Sequence, residues 1–120
     1  MVFDFEKMAV YQLSLKAIDH SLMLIQNIPK GNRHLADQLK RAISSVSLNI
    51  AEGVGEFKPA EKARFYRMAL RSASESCSII QICYRLQMIN NHDYQSFYDL
   101  LTAISKMLTK LTHAMEKRVH

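Results

Sequence analysis

The chain has 120 residues, enough for one domain with its own core and no need of disulfide or metal staples. Apolar residues make up 48%, and there are only 3 glycines and 2 prolines. That composition excludes a disordered chain and favours a few long helices over a turn-rich β domain. A formal charge of +5 and an isoelectric point near 9.4 admit an anionic partner, nucleic acid foremost, without requiring one.

The opening MVFDFEKM lacks the basic start and apolar run of a leader peptide. The first helix is expected from about Phe5 to Ile28, with Asp4 as N-cap and Phe3 as a staple. Met8, Tyr11, Leu15, Ile18, Leu22 and Ile25 alternate by three and four and predict its core seam. Pro29-Lys30-Gly31-Asn32 ends it. The second helix is expected from about Arg33 to Glu52 or Gly53, with Leu35, Leu39, Ala42, Val46 and Asn49 in its seam. Gly53 and Gly55 are expected to close it in a left-handed conformation. Asn49 among buried positions, and Glu52 against the helix dipole with Arg64 as its expected partner, are choices a plain packing helix would not make.

The third helix is expected from Pro59 to about Ile89, roughly 45 Å at 1.5 Å per residue. Its seam reads Phe65, Ala69, Ser72, Ser76, Ile79, Cys83 and Leu86. Asn90-Asn91 breaks it, and the fourth helix follows over about 93–117, with Tyr94, Phe97, Leu101, Ile104, Leu108, Leu111 and Met115 inside. Short connections make successive helices antiparallel neighbours. The fold class is all-α, an antiparallel up-down-up-down four-helix bundle occupying 1–120 as one domain. No apolar run approaches the roughly 18–20 residues of a membrane span.

The third helix carries a second apolar stripe, Tyr66, Leu70, Ala73, Cys77, Ile80 and Tyr84, and the first a weaker one at Val10, Leu13, Ala17 and Leu24. This surplus reads either as a widened core or as a homo-oligomer interface, the second being the sharper reading. Arg64, Arg67, Arg71, Ser74, Ser78, Gln81 and Arg85 form a polar stripe with four arginines and no acid. Arg33, Lys40 and Arg41 on the second helix and Lys58 and Lys62 near the turn add charge. The alternatives are a solvated face or a surface for phosphate backbones, read by shape and charge. No helix-turn-helix or other base-reading motif is present.

Catalytic patterns are missing. The histidines are scattered, and the single His113-x-x-Glu116 is reversed relative to di-iron bundles. Gly53-x-Gly55 lacks the strand and helix of a phosphate loop. Cys77 and Cys83 point to different sides of one helix and are expected to be reduced thiols of a cytoplasmic protein. The chain is therefore read as a non-enzyme, without metal or cofactor.

Phe5-Glu6-Lys7-Met8, Ile28-Pro29, Gln38-Leu39-Lys40-Arg41-Ala42 with Ser45, Asn49-Ile50-Ala51-Glu52-Gly53, and Phe65, Ala69, Ser72 and Glu75 resemble the 23S rRNA intervening-sequence protein family over nearly the whole chain. The resemblance implies a bacterial homopentamer around a central channel. It also implies a likeness in fold to the accessory variability proteins of diversity-generating retroelements, which bind nucleic acid and a reverse transcriptase. The resulting expectation is a homo-oligomer that binds RNA or RNA–DNA through Arg33, Lys40, Arg41, Lys58, Lys62, Arg64, Arg67, Arg71 and Arg85. Asn49, Glu52, Gly53, Tyr66, Leu70, Cys77, Ile80 and Tyr84 would lock the structure or its interface. The alternative is a protein scaffold or an accessory subunit, for example of a reverse transcriptase.

Overall fold

A computed structural model describes residues 2–119; Met1 and His120 lie outside the described residues. The segment expected to begin the first helix is divided. Asp4–Lys7 forms a 3-10 turn, in which the Phe3 N–H donates to Glu6 Oε1 at 2.9 Å. Extended Met8 interrupts the chain, and α1 runs over Ala9–Ile25. Asp4 is thus inside the turn and does not cap α1. A second 3-10 turn at Lys30–Asn32 leads into α2, Arg33–Gly55, whose N-cap Asn32 makes no side-chain capping bond.

α2 does not end in a left-handed glycine. No glycine among the described residues has positive φ, and Gly53 and Gly55 are both helical. The last carbonyls are met from the next helix instead: Lys62 Nζ donates to Gly53 O at 3.2 Å and to Val54 O at 2.8 Å. A cation at a helix C-terminus also suits the negative end of the dipole.

α3, Pro59–Arg85, starts with proline at its first position, where the missing N–H leaves nothing unsatisfied. It stops four residues before the expected Ile89. Gln87 takes φ 61, its N–H bonds Tyr84 O, and the Met88 N–H reaches back to Cys83 O at 3.0 Å. This is a Schellman cap with glutamine where glycine is unstrained. Gln87→Gly is expected to stabilise the fold by about 0.5–1 kcal/mol, measured by urea denaturation; an unchanged midpoint would remove the strain argument. α4, Asn91–Glu116, begins two residues earlier than expected because Asn90 caps it, accepting from the Asp93 N–H at 2.7 Å.

Long-range pairs set the topology. Ser14 meets Ser47, Ser45 meets Ser72, Arg67 meets Glu116 and the rings of His20 and Phe97 approach to 5.7 Å. In the pairs α1–α2, α3–α4 and α1–α4, one partner stands toward its helix start and the other toward its helix end; between α2 and α3, Ser45 and Ser72 meet at mid-helix while Lys62 near the start of α3 reaches the last carbonyls of α2. The helices are antiparallel neighbours in a closed ring, α2 against α3 most intimately.

The core is built from Leu39, Ile43, Val46 and Ile50 of α2, Tyr66, Ala73 and Ile80 of α3, and Phe97, Ile104 and Leu108 of α4. On α1 the expected seam is displaced. Val10, Ser14, Ala17, Ser21 and Leu24 are buried, while Tyr11, Leu15, Ile18 and Ile25 flank them and Leu22 is 47% exposed. The weaker stripe is therefore the real inward face. Its serines are buried without penalty because Ser14 Oγ donates to Tyr11 O at 2.6 Å and pairs with Ser47 Oγ, and Ser21 Oγ donates to Ile18 O at 2.7 Å.

The second stripe of α3 is likewise partly core. Tyr66 and Ile80 are buried within the single chain, so they present no interface. Leu70 and Cys77 are half-buried, and only Tyr84 of the proposed set is exposed.

Candidate nucleic-acid interface

The α3 positions Arg64, Arg67, Arg71, Ser74, Ser78, Gln81 and Arg85 are all exposed. They lie opposite Tyr66, Ala69, Ala73, Ser76, Ile80 and Cys83, which are buried. The row is thus the convex outer ridge of a 27-residue helix. Steps of three and four keep these side chains on one side of a rod about 40 Å long.

The ridge is not acid-free in three dimensions. Arg64 Nε donates to Glu61 Oε2 at 2.8 Å, and its guanidinium lies 4.5 Å from the centre of the Phe65 ring. The Glu61 hydrogen bond and charge raise the Arg64 pKa above its ordinary value. Arg64 therefore does not serve Glu52, which is exposed and forms no ion pair among the described residues. Arg67 Nη1 donates to Glu116 Oε2 at 2.9 Å across to α4. Arg71 and Arg85 form no ion pair among the described residues and stand as the two free cations of the row.

The other expected cations are not gathered onto this ridge. Arg33 and Lys40 line a depression with Ile25, Pro29, Lys30 and Asp37 at the α1–α2 end of the bundle. Arg41 is exposed on α2 and Lys58 at the α2–α3 connection. Lys62 is half-buried, its ammonium engaged with the α2 carbonyls.

Asn49 and Gly53 have structural work. Asn49 Nδ2 donates to Ser45 O at 2.8 Å and to Ser45 Oγ at 2.9 Å, and Ser72 Oγ reaches the same Ser45 Oγ at 2.9 Å. Asn49 therefore faces the middle of α3, beside Met68, Arg71, Ser72 and Glu75. Gly53 is buried beneath Tyr66: a Cβ there would stand 2.6 Å from Tyr66 Cε1 and 3.2 Å from Phe65 Cβ.

Reading one helix at a time missed a second basic row. Lys106, Lys110, His113 and Lys117 are exposed along α4 at steps of four, three and four. Lys106 and Lys110 line an open groove of about 580 Å³ between α3 and α4, with Ser74, Cys77, Tyr98 and Thr102. The same three-and-four spacing that revealed the α3 row was available for α4.

Cys77 and Cys83 are free thiols, and burial raises both pKa values, as it raises that of Tyr66. The sign follows directly. Each group gives up its proton in the unfolded chain before the folded one, so the stability it supports is complete below its unfolded pKa. It is lost as pH rises toward the folded value. Stability is expected to decline above about pH 9, the ordinary thiol value, and a flat melting temperature from pH 8 to 10 would contradict this.

Among the described residues, no three His, Cys, Asp or Glu side chains form a metal-binding group, and no helix is long and apolar enough to cross a membrane. The model of the 23S rRNA-intervening sequence protein family matches residues 6–110. A crystal structure of a protein of unknown function from the S23 ribosomal protein family of Bacteroides thetaiotaomicron superimposes with a TM-score of 0.80. The two sequences are 22% identical, and the match covers 87% of this chain and 98% of that one. At that identity the likeness is one of fold. No curated protein matches the chain.

Proposed function

The chain belongs to the 23S rRNA-intervening sequence protein family, and from that premise we propose that it is a non-enzymatic nucleic-acid-binding protein. It grips phosphate backbones with the outer ridge of α3 and works as a homo-oligomer. The observation that carries the reading is the exposure of Arg64, Arg67, Arg71 and Arg85 on one face of a rigid helix, with Arg71 and Arg85 unpaired among the described residues. Guanidinium groups are suited to phosphate oxygens, and a row without a base-reading element gives affinity that follows charge and shape. RNA or an RNA–DNA hybrid is the ligand this reading favours.

Self-association is supported by large apolar side chains left in solvent. Phe57 is 95% exposed, and Leu48 and Met23 are each 66% exposed. Copies of the bundle that cover such residues remove apolar area from water. The same observation favours the second reading, a scaffold or accessory subunit whose partner is another protein, a reverse transcriptase being one example.

Titration of an RNA duplex across a salt series tests the first reading. The logarithm of the binding constant is expected to fall linearly with the logarithm of salt concentration, with a slope near −0.9 per phosphate contacted. Salt-insensitive binding, or none, overturns it. Light scattering coupled to size exclusion tests self-association, where a monomer at micromolar concentration is the contrary result. Capture of a protein that survives nuclease treatment, with no binding to purified RNA, transfers the function to the scaffold.

A further inference from the structure

We propose that the groove between α3 and α4 is a distinct site for single-stranded nucleic acid, with Lys106 and Lys110 on its phosphates and tyrosines at its mouth stacking on its bases. The proposal rests on the nucleic-acid reading above and deepens it by assigning a second surface and a strand state.

No carboxylate lines the groove. Its floor is Ala73, Cys77 and Leu101, and its rim holds the hydroxyls of Ser74, Thr102, Ser105 and Thr109 beside the two lysines. The acids nearest in sequence are outside the lining: Asp99 accepts from Gln95 Nε2 at 2.8 Å, and Glu75 lies on the α2 side of α3 beside Ser72. Lys106 and Lys110 stand one turn apart, about 6 Å along the axis, both exposed and both without an ion-pair partner among the described residues. Thr102 and Thr109 give their protons to Tyr98 O and Ser105 O, which leaves their oxygens as acceptors facing the groove.

The aromatic end is built for stacking. Tyr84 and Tyr94 lie ring on ring, with centroids 4.5 Å apart and planes 9° from parallel, and the Tyr98 ring stands 6.0 Å from Tyr94, tilted by 37°. Tyr84 is held by its hydroxyl, 3.1 Å from Asn91 Oδ1. Tyr98 both belongs to this series and lines the groove. From Tyr98 to Lys110 is about 18 Å of helix, so rings and ammonium groups can act on one short strand.

Charge and shape select the occupant. A second copy would bring another net charge of +5 toward a groove with two lysines and no acid. A duplex keeps its base faces stacked inward, whereas an unpaired strand offers them to aromatic side chains. The convex arginine ridge suits a duplex backbone, and the concave groove beside it suits a single strand.

The test compares a fluorescent 12-nucleotide oligouridylate with a 12-base-pair RNA duplex on the full chain. Lys106→Gln with Lys110→Gln is expected to weaken oligouridylate binding about tenfold or more and to flatten its salt slope by about 1.4. Duplex binding should change less than about twofold. Tyr98→Ser should weaken oligouridylate alone, by about fivefold or more, the low end of the loss of one stacked base. Bound oligouridylate, and not duplex, should slow maleimide labelling of Cys77 in the unaltered protein. Equal losses on both ligands, or no loss on oligouridylate, overturn the proposal. So does loss accompanied by a smaller assembly mass, which would make the groove a contact between copies. Binding of duplex but not oligouridylate by the unaltered protein defeats the groove and leaves the α3 reading standing. Binding of neither defeats both.

Discussion

Gly53→Ala is expected to destabilise the bundle by up to about 2 kcal/mol, although alanine is the better helix former by close to 1 kcal/mol. The added methyl would meet Tyr66 Cε1 at 2.6 Å and Cδ1 at 2.9 Å. The Tyr66 ring is only 3% exposed, so it has nowhere to move without disturbing the α2–α3 packing around it. Phe65 Cβ at 3.2 Å blocks a small shift the other way. Overpacking of this kind costs about 1–3 kcal/mol, which exceeds the helix-propensity gain. Gly55→Ala is the internal control. It is also helical, nothing lies within 4 Å of its added Cβ, and the propensity gain is left unopposed. It should raise stability by up to about 0.5–1 kcal/mol. Two glycines two residues apart thus have effects of opposite sign. Urea midpoints that move in the same direction for both would show that the close approach of Tyr66 is not what holds Gly53 in place.

Charge reversal of the two free arginines, Arg71→Glu with Arg85→Glu, is expected to cut duplex affinity by about a hundredfold at moderate salt. The salt slope should fall by roughly 2, one phosphate contact for each lost cation. Both side chains are exposed and unpaired among the described residues, so the fold and its melting temperature should stay nearly constant. Arg64→Gln and Arg67→Gln should cost less, because those guanidinium groups already share their charge with Glu61 and Glu116. Glu116→Gln releases Arg67 and should tighten binding by a few-fold, the opposite of a purely structural effect. Isothermal titration with the same duplex measures all four. If the free pair and the paired arginines prove equally important, ion pairing does not grade this face, and general surface charge accounts for binding.

Helix count and fold class were legible in the chain because apolar periodicity of three and four is a property of each helix alone. α2 and α4 show this most directly: Leu35, Leu39, Ala42 and Val46, and Phe97, Leu101, Ile104 and Leu108, are buried as spaced. α1 shows where the signal fails. Ser14 and Ser21 read as polar yet lie in the core, since their hydroxyls bond carbonyls one turn back. With those two positions scored as outside, the periodicity pointed to a neighbouring face. The end of α3 was hidden for a similar reason, because Gln87 enters the left-handed region without the glycine that usually announces it.

Spacing along the chain is enough to define an all-helical protein of four segments with a row of arginines along the third. Which cations are free, which glycine is crowded and which grooves exist depends on how the four helices pack. Arg67 and Glu116 are 49 residues apart, Ser45 and Ser72 are 27 apart, and the α3–α4 groove draws on both helices. Such contacts depend on the rotation and stagger of each helix against its neighbours. Those two quantities are set by the packing of all four helices at once, so no single helix carries them in its own spacing.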